Sequence, residues 1–233
     1  MLEDIGARLS HGAGFAVATL NLDHLVKLGR DPAFRAAYAA HTHVTADGNP
    51  VVWLSRLAGT PVGLVTGADL VRPLAALAAR LGVPVALVGA TSQTLDAAAE
   101  RLMAENPGLA VPVRIAPGQG FDPDGAEADA ILARLADGEA RLVLLALGAP
   151  RQERLAARAL AAMPGTGFVS IGAGLDFIAG SQARAPAWAR RLALEWLWRV
   201  VSAPRRLGRR YLDCVAILPR LAAHALAERR RRR

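Results

Sequence analysis

Short apolar runs alternate along the chain with longer stretches in which apolar positions recur every three or four residues. The run FAVATL at 15–20 reads as a buried strand that ends at polar Thr19 and Asn21, and helical spacing takes over at 22–28 and again at 32–40. A short strand and turn over 41–48 closes on Asp47-Gly48, ahead of a helix at 51–58. Segment 62–65 reads as another short strand, and 70–81 as a helix whose N-terminal acid is Asp69. The alternation then becomes regular, with strands at 83–88, 111–115, 142–147 and 168–171 separated by helices at 91–105, 125–136 and 156–162. Strands spaced by helices of that length form parallel βαβ units, so the pattern predicts an α/β fold: a Rossmann-like, mostly parallel sheet flanked by helices. Such sheets bind ligands beyond the carboxyl ends of their strands.

The pattern changes after Gly172. From 188 to 201 apolar residues occupy most of a helical wheel and leave one polar stripe, Arg191, Glu195 and Arg199, at i, i+4 spacing. Arg205, Arg206, Arg209 and Arg210 follow Pro204. Two readings stay open: a solvated basic helix packed by its tryptophans, or a phosphate clamp at the edge of a site, since buried guanidinium groups need anionic partners. The chain divides on this basis into an α/β body at 1–183 and a helical, basic C-terminal appendage at 184–233.

Charge sharpens that division. The formal charge of +8 combines 14 basic and 17 acidic groups in residues 1–183 with 14 arginines against Glu195, Asp213 and Glu228 beyond. A basic tail serves nucleic acid, anionic lipid or phosphorylated substrates. Nucleic acid is disfavoured, because Tyr211 is the only aromatic residue there that is not one of the tryptophans, and those read as buried. Cys214 is the sole cysteine, which excludes an internal disulfide and a cysteine-based metal site and fits a reducing cytoplasm. The apolar run at 15–20 lacks the length and charged flank of an export signal, and no run approaches the roughly 20 residues of a spanning helix.

Several residues carry candidate chemistry. Asp47, at a sheet edge near Thr19 and Asn21, suits a general base, since partial burial raises a carboxyl group's proton affinity; the alternative is turn chemistry, for which Asp-Gly is common. His41, His43 and Asp47 together raise a metal site as a weaker option. Asp122 and Asp124 resemble the aspartate pair of metal-dependent sugar transferases but sit where turns and caps form. Gln152, Glu153 and Asp176 follow glycine turns at strand ends, which leaves helix capping and hydrogen bonding to a nucleotide both open. Neither GxGxxG nor a P-loop is present, so NAD and ATP gain no support, and no cofactor is expected.

Six segments occur together in register: TLN at 19–21, ADG at 46–48, VTGADL at 65–70, LGAPRQE at 147–153, GAGLDFIAG at 172–180 and RAPAWARRLALEWLWRVVSAPRRLGRRY at 184–211. In this the chain resembles the WecG/TagA/CpsF family of glycosyltransferases over nearly its whole length. The resemblance implies metal-independent, inverting transfer of a sugar from a UDP-sugar donor to an undecaprenyl-diphosphate-linked saccharide, in exopolysaccharide or cell-surface polysaccharide assembly. It implies Asp47 as the base, with Thr19 and Asn21 beside it. It places Gln152, Asp176 and Asp69 at the donor, and Arg199, Arg206 and Arg210 at the acceptor or diphosphate. It implies a cytoplasmic protein held peripherally at the inner membrane face by anionic lipids, and association of copies stays open. The resemblance breaks at Leu64, where members carry an arginine before the VTG segment; Arg72 is the candidate replacement. The donated sugar stays open between N-acetylmannosamine and a hexose such as glucose or a uronic acid.

Overall fold

The computed structural model describes residues 1–183, 185, 186, 198 and 204–232, with the helix backbone alone at 204–207 and 209. Six strands form a wholly parallel sheet: β1 (Phe15–Leu20), β2 (His43–Ala46), β3 (Val85–Gly89), β4 (Val113–Ile115), β5 (Leu142–Ala146) and β6 (Gly167–Ser170), in the order β2-β1-β6-β5-β3-β4. The body's helices are α1 (Leu2–His11), α2 (Leu22–Arg30), α3 (Pro32–Ala39), α4 (Asn49–Leu57), α5 (Gly67–Leu81), α6 (Ser92–Glu105), α7 (Ala126–Asp137), α8 (Arg151–Ala162) and α9 (Gly174–Ala179). A long helix, α10 (Pro204–Arg231), completes the described chain.

Strand residues alternate between two cores, because successive side chains point to opposite faces. Phe15, Val17, Val85, Leu87, Leu142, Leu144 and Val169 pack with α1, α5, α6 and α9. Ala16, Ala86, Val88, Val143, Leu145 and Phe168 pack with α7 and α8. Burial on both faces explains why the strands read as unbroken apolar runs rather than as alternating ones.

One expected strand is not formed. Segment 62–65 pairs with β2 only at a single bridge, Leu64 to Ala46, supported by the Val65 N–H on the Ala46 carbonyl at 2.9 Å. Val65 packs against the core, but Val62 and Leu64 are nearly half exposed, so little burial rewards further pairing there. The helix expected at 188–201 lies outside the described residues, apart from Trp198.

The topology places a crevice at the carboxyl end of the sheet. β1 and β6 are neighbours. The helix after β1 packs with α3, which packs on α8, whereas the helix after β6 packs on α5 and α6 across the sheet. Chains leaving adjacent parallel strands toward opposite faces open a gap between them, where such folds take ligands.

Candidate active site

A cavity of about 700 Å³ fills that gap. β1 contributes Thr19, the residue after it Asn21, and the turn after β2 Asp47, while α2 contributes His24 and Lys27. The loop after β5 contributes Gly148 and the start of α8 Arg151 and Gln152, while the loop after β6 contributes Gly172 and α9 Asp176 and Phe177. Trp198 and, from α10, Arg210 and Tyr211 line the remaining side.

Sheet register puts the first three residues together. β1 and β2 pair in parallel, Thr19 opposite Thr45 and Leu20 opposite Ala46. The next backbone link, Asp47 N–H to the Leu20 carbonyl at 2.7 Å, sets Asp47 beside the end of β1. Asn21 caps α2, its side-chain oxygen accepting the His24 N–H at 3.0 Å. Thr19 is buried and its hydroxyl reaches the Ser170 carbonyl at 3.4 Å, which joins β1 to β6 at the cavity floor.

The donor-site candidates separate into different roles. Gln152 is 2% exposed, and its side-chain oxygen accepts the N–H groups of Gly148 at 3.2 Å and Gly172 at 3.3 Å. Asp176 lies in the first turn of α9, where its side chain accepts the Ser181 hydroxyl at 3.1 Å. Asp69 is not brought to the cavity. It is exposed in the first turn of α5, accepting the Thr66 hydroxyl at 2.7 Å while Thr66 caps its N–H, and Thr66 itself lines the cavity.

Arg210 reaches the cavity rim from α10 and pairs with Asp23 of α2 at 2.9 Å. Asp23 also pairs with Lys27 at 2.7 Å, so two cations share one largely buried carboxylate at the rim. Lys27 further donates to the Ala149 carbonyl at 2.9 Å, next to the cis Ala149–Pro150 bond. Arg199 lies outside the described residues, as does the side chain of Arg206. Arg72 makes a two-pronged pair with Glu105, at 2.8 and 2.9 Å, and is absent from the cavity lining.

The other candidates have structural partners. His41 Nδ1 donates to the Ala37 carbonyl, 2.7 Å away, and His43 pairs with Asp4 at 2.8 Å, so the two rings serve separate contacts. Asp122 accepts the Asp124 N–H at 3.0 Å in a turn, and Asp124 pairs with Arg154. These contacts account for both aspartates as turn and packing residues.

Beside the cavity lies a buried polar cluster of His24, Tyr38 and Glu153, of which sequence reasoning named only Glu153. His24 is 4% exposed; burial, reinforced by Lys27, pushes its pKa down to about 3 and keeps the ring neutral. Tyr38 of α3 has its hydroxyl 2.5 Å from His24 Nδ1, and burial raises the phenol's pKa. The neutral ring and the protonated phenol share this one hydrogen bond. Glu153 is fully buried, and that burial raises its pKa to about 7. For His24 and Lys27 the available signal was the Asn21 cap: a capped helix leaving a strand end presents its first turns to the site.

A carboxylate, a pair of cations, buried polar groups and glycine loops at strand ends thus converge on one crevice, as handling of a charged, hydroxyl-bearing substrate requires. The model of the Glycosyl transferase WecG/TagA/CpsF family matches residues 1–233, the whole chain, and the protein belongs to that family of glycosyltransferases.

Proposed function

We propose that the protein transfers a sugar from a UDP-sugar to a hydroxyl of an undecaprenyl-diphosphate-linked saccharide, with inversion and without a metal ion, in the assembly of a surface polysaccharide. The observation that carries this reading is the shared cavity: Asp47, Thr19, Asn21, Gln152, Asp176 and Arg210 all line it. In the proposed step Asp47 takes the proton of the acceptor hydroxyl, the freed oxygen bonds to the anomeric carbon, and the bond from that carbon to the diphosphate breaks, so that UDP leaves with the electron pair. Charge-assisted hydrogen bonds from Arg210 and Lys27 would stabilise the departing diphosphate. Arg199 and Arg206 are proposed to join them, Thr19 and Asn21 to orient the acceptor, and Asp176 to hold the donor.

Residues 1–183 would form the catalytic body and 184–233 a membrane-proximal appendage at the inner membrane face. Supporting this, α10 exposes Leu212 at 72%, Val215 at 57% and Leu226 at 43%, with exposed Arg220, Arg229 and Arg230 nearby. An apolar stripe flanked by arginines suits an anionic bilayer surface, where each cation contributes roughly 1 kcal/mol. Among the described residues no helix is long and apolar enough to cross a membrane.

The test is a panel of UDP-sugars offered with a lipid-diphosphate monosaccharide acceptor, with and without EDTA. Transfer from one donor, undiminished by EDTA, is expected. Absence of transfer from every UDP-sugar would overturn the donor class, and loss of transfer with EDTA would overturn the metal-free step.

A further inference from the structure

Gly148 and Gly172 occupy equivalent places, each just past the end of a strand, β5 and β6, that pairs with the other in parallel. Both have positive φ, 71° and 55°, which glycine tolerates. Both N–H groups turn inward onto the same oxygen, that of Gln152. An amide side chain serves two donors this way only in one of its two flip states, and the state is fixed by what its nitrogen meets. That partner is Glu153: Gln152 Nε2 donates to Glu153 Oε1 at 2.8 Å. Glu153 has no exposure, does not line the cavity, and its Oε2 makes no hydrogen bond among the described residues.

We infer that Glu153 is a positioning residue: it orients the Gln152 amide, and through it ties together the two glycine loops that carry the cavity's walls. The loops lead directly into Arg151 and Asp176, which face the cavity from opposite sides of the sheet. A strut across them sets the width of the crevice before any ligand arrives, so the loops need not be ordered on binding. The inference rests on the donor reading above for its functional consequence, and on geometry alone for the strut.

The experiment is amide hydrogen exchange on the ligand-free protein, read residue by residue, beside calorimetric binding of UDP. In Glu153→Leu, exchange at Gly148 and Gly172 is expected to rise about tenfold, the loss of roughly one hydrogen bond each, with UDP affinity falling by a similar factor. Glu153→Gln, which keeps an acceptor oxygen, is expected to restore both. Should Glu153→Leu fail to fold, Gln152→Met removes the same two contacts and is read in its place. Unchanged exchange at both glycines would overturn the strut, as would acceleration spread equally over Val143 and Val169 in the strands. Loosened loops with unaltered UDP binding would overturn its part in the site. If wild-type protein itself fails to bind UDP, the donor reading falls while the exchange data still judge the strut.

Discussion

Asp47 and Glu153 are carboxylates near one crevice whose surroundings set them different tasks. Asp47 is partly exposed at the rim, where a substrate hydroxyl can meet it, whereas Glu153 lies behind the wall with Tyr38, Lys27 and Asp23 as its charged and titratable neighbours. Burial raises the Glu153 pKa to about 7 from 4.5. Between those values the folded protein binds more protons than the unfolded chain, so stability falls as pH rises from about 4.5 and the loss is complete above about 7. Glu153→Gln removes the ionisation. It should therefore be more stable than wild type at pH 8, by on the order of 3 kcal/mol, with the difference gone near pH 4; denaturant unfolding at the two pH values measures this. The Asp47-Gly48 dipeptide and the polar end of β1 were legible from local pattern alone. The shifted proton affinities of His24 and Glu153 were not, because they depend on burial where α3 packs over α8, a contact between segments more than a hundred residues apart.

Helix beginnings capped by a side chain were legible to within about one residue for α2, α3 and α6, whereas α5 begins at Gly67 behind its Thr66 cap, ahead of the expected start at 70 with Asp69 as N-terminal acid. Thr66, Thr91, Asn21 and Asp31 each accept a backbone N–H at the start of a helix. Segment 62–65 shows the converse: apolar residues of strand type form only one bridge where Val62 and Leu64 stay half exposed. Thr91 offers a clean control for the site, since it caps α6 and is absent from the cavity lining. Thr91→Ala should cost about 1 kcal/mol and lower the melting temperature by roughly 2–4 °C, with catalytic turnover unchanged. Calorimetry beside an activity assay checks both halves.

Across the whole molecule, the regular βαβ alternation conveyed the parallel sheet, while the strand order and the crevice it opens came only from the packed structure. Among the described residues, the buried side chains of both cores come from no later than Ile178, with Ala179 packed against one of them. A chain ended after Arg184 should therefore fold and bind UDP, yet fail to transfer sugar or to sediment with anionic vesicles. Retained transfer would separate the appendage from catalysis. α10 packs against α2 and α4 and sends Arg210 to Asp23, which is why the tail's charge, obvious in composition, could not by itself reveal where it acts.

The proposed chemistry depends on one proton acceptor placed opposite a diphosphate-binding wall, and Asp47→Asn isolates it because asparagine keeps the shape while losing the charge. Single-turnover sugar transfer, measured beside UDP affinity in this variant, should fall by about 10²–10⁴ while UDP binding stays close to that of wild type. Transfer at a near wild-type rate would contradict Asp47 as the base.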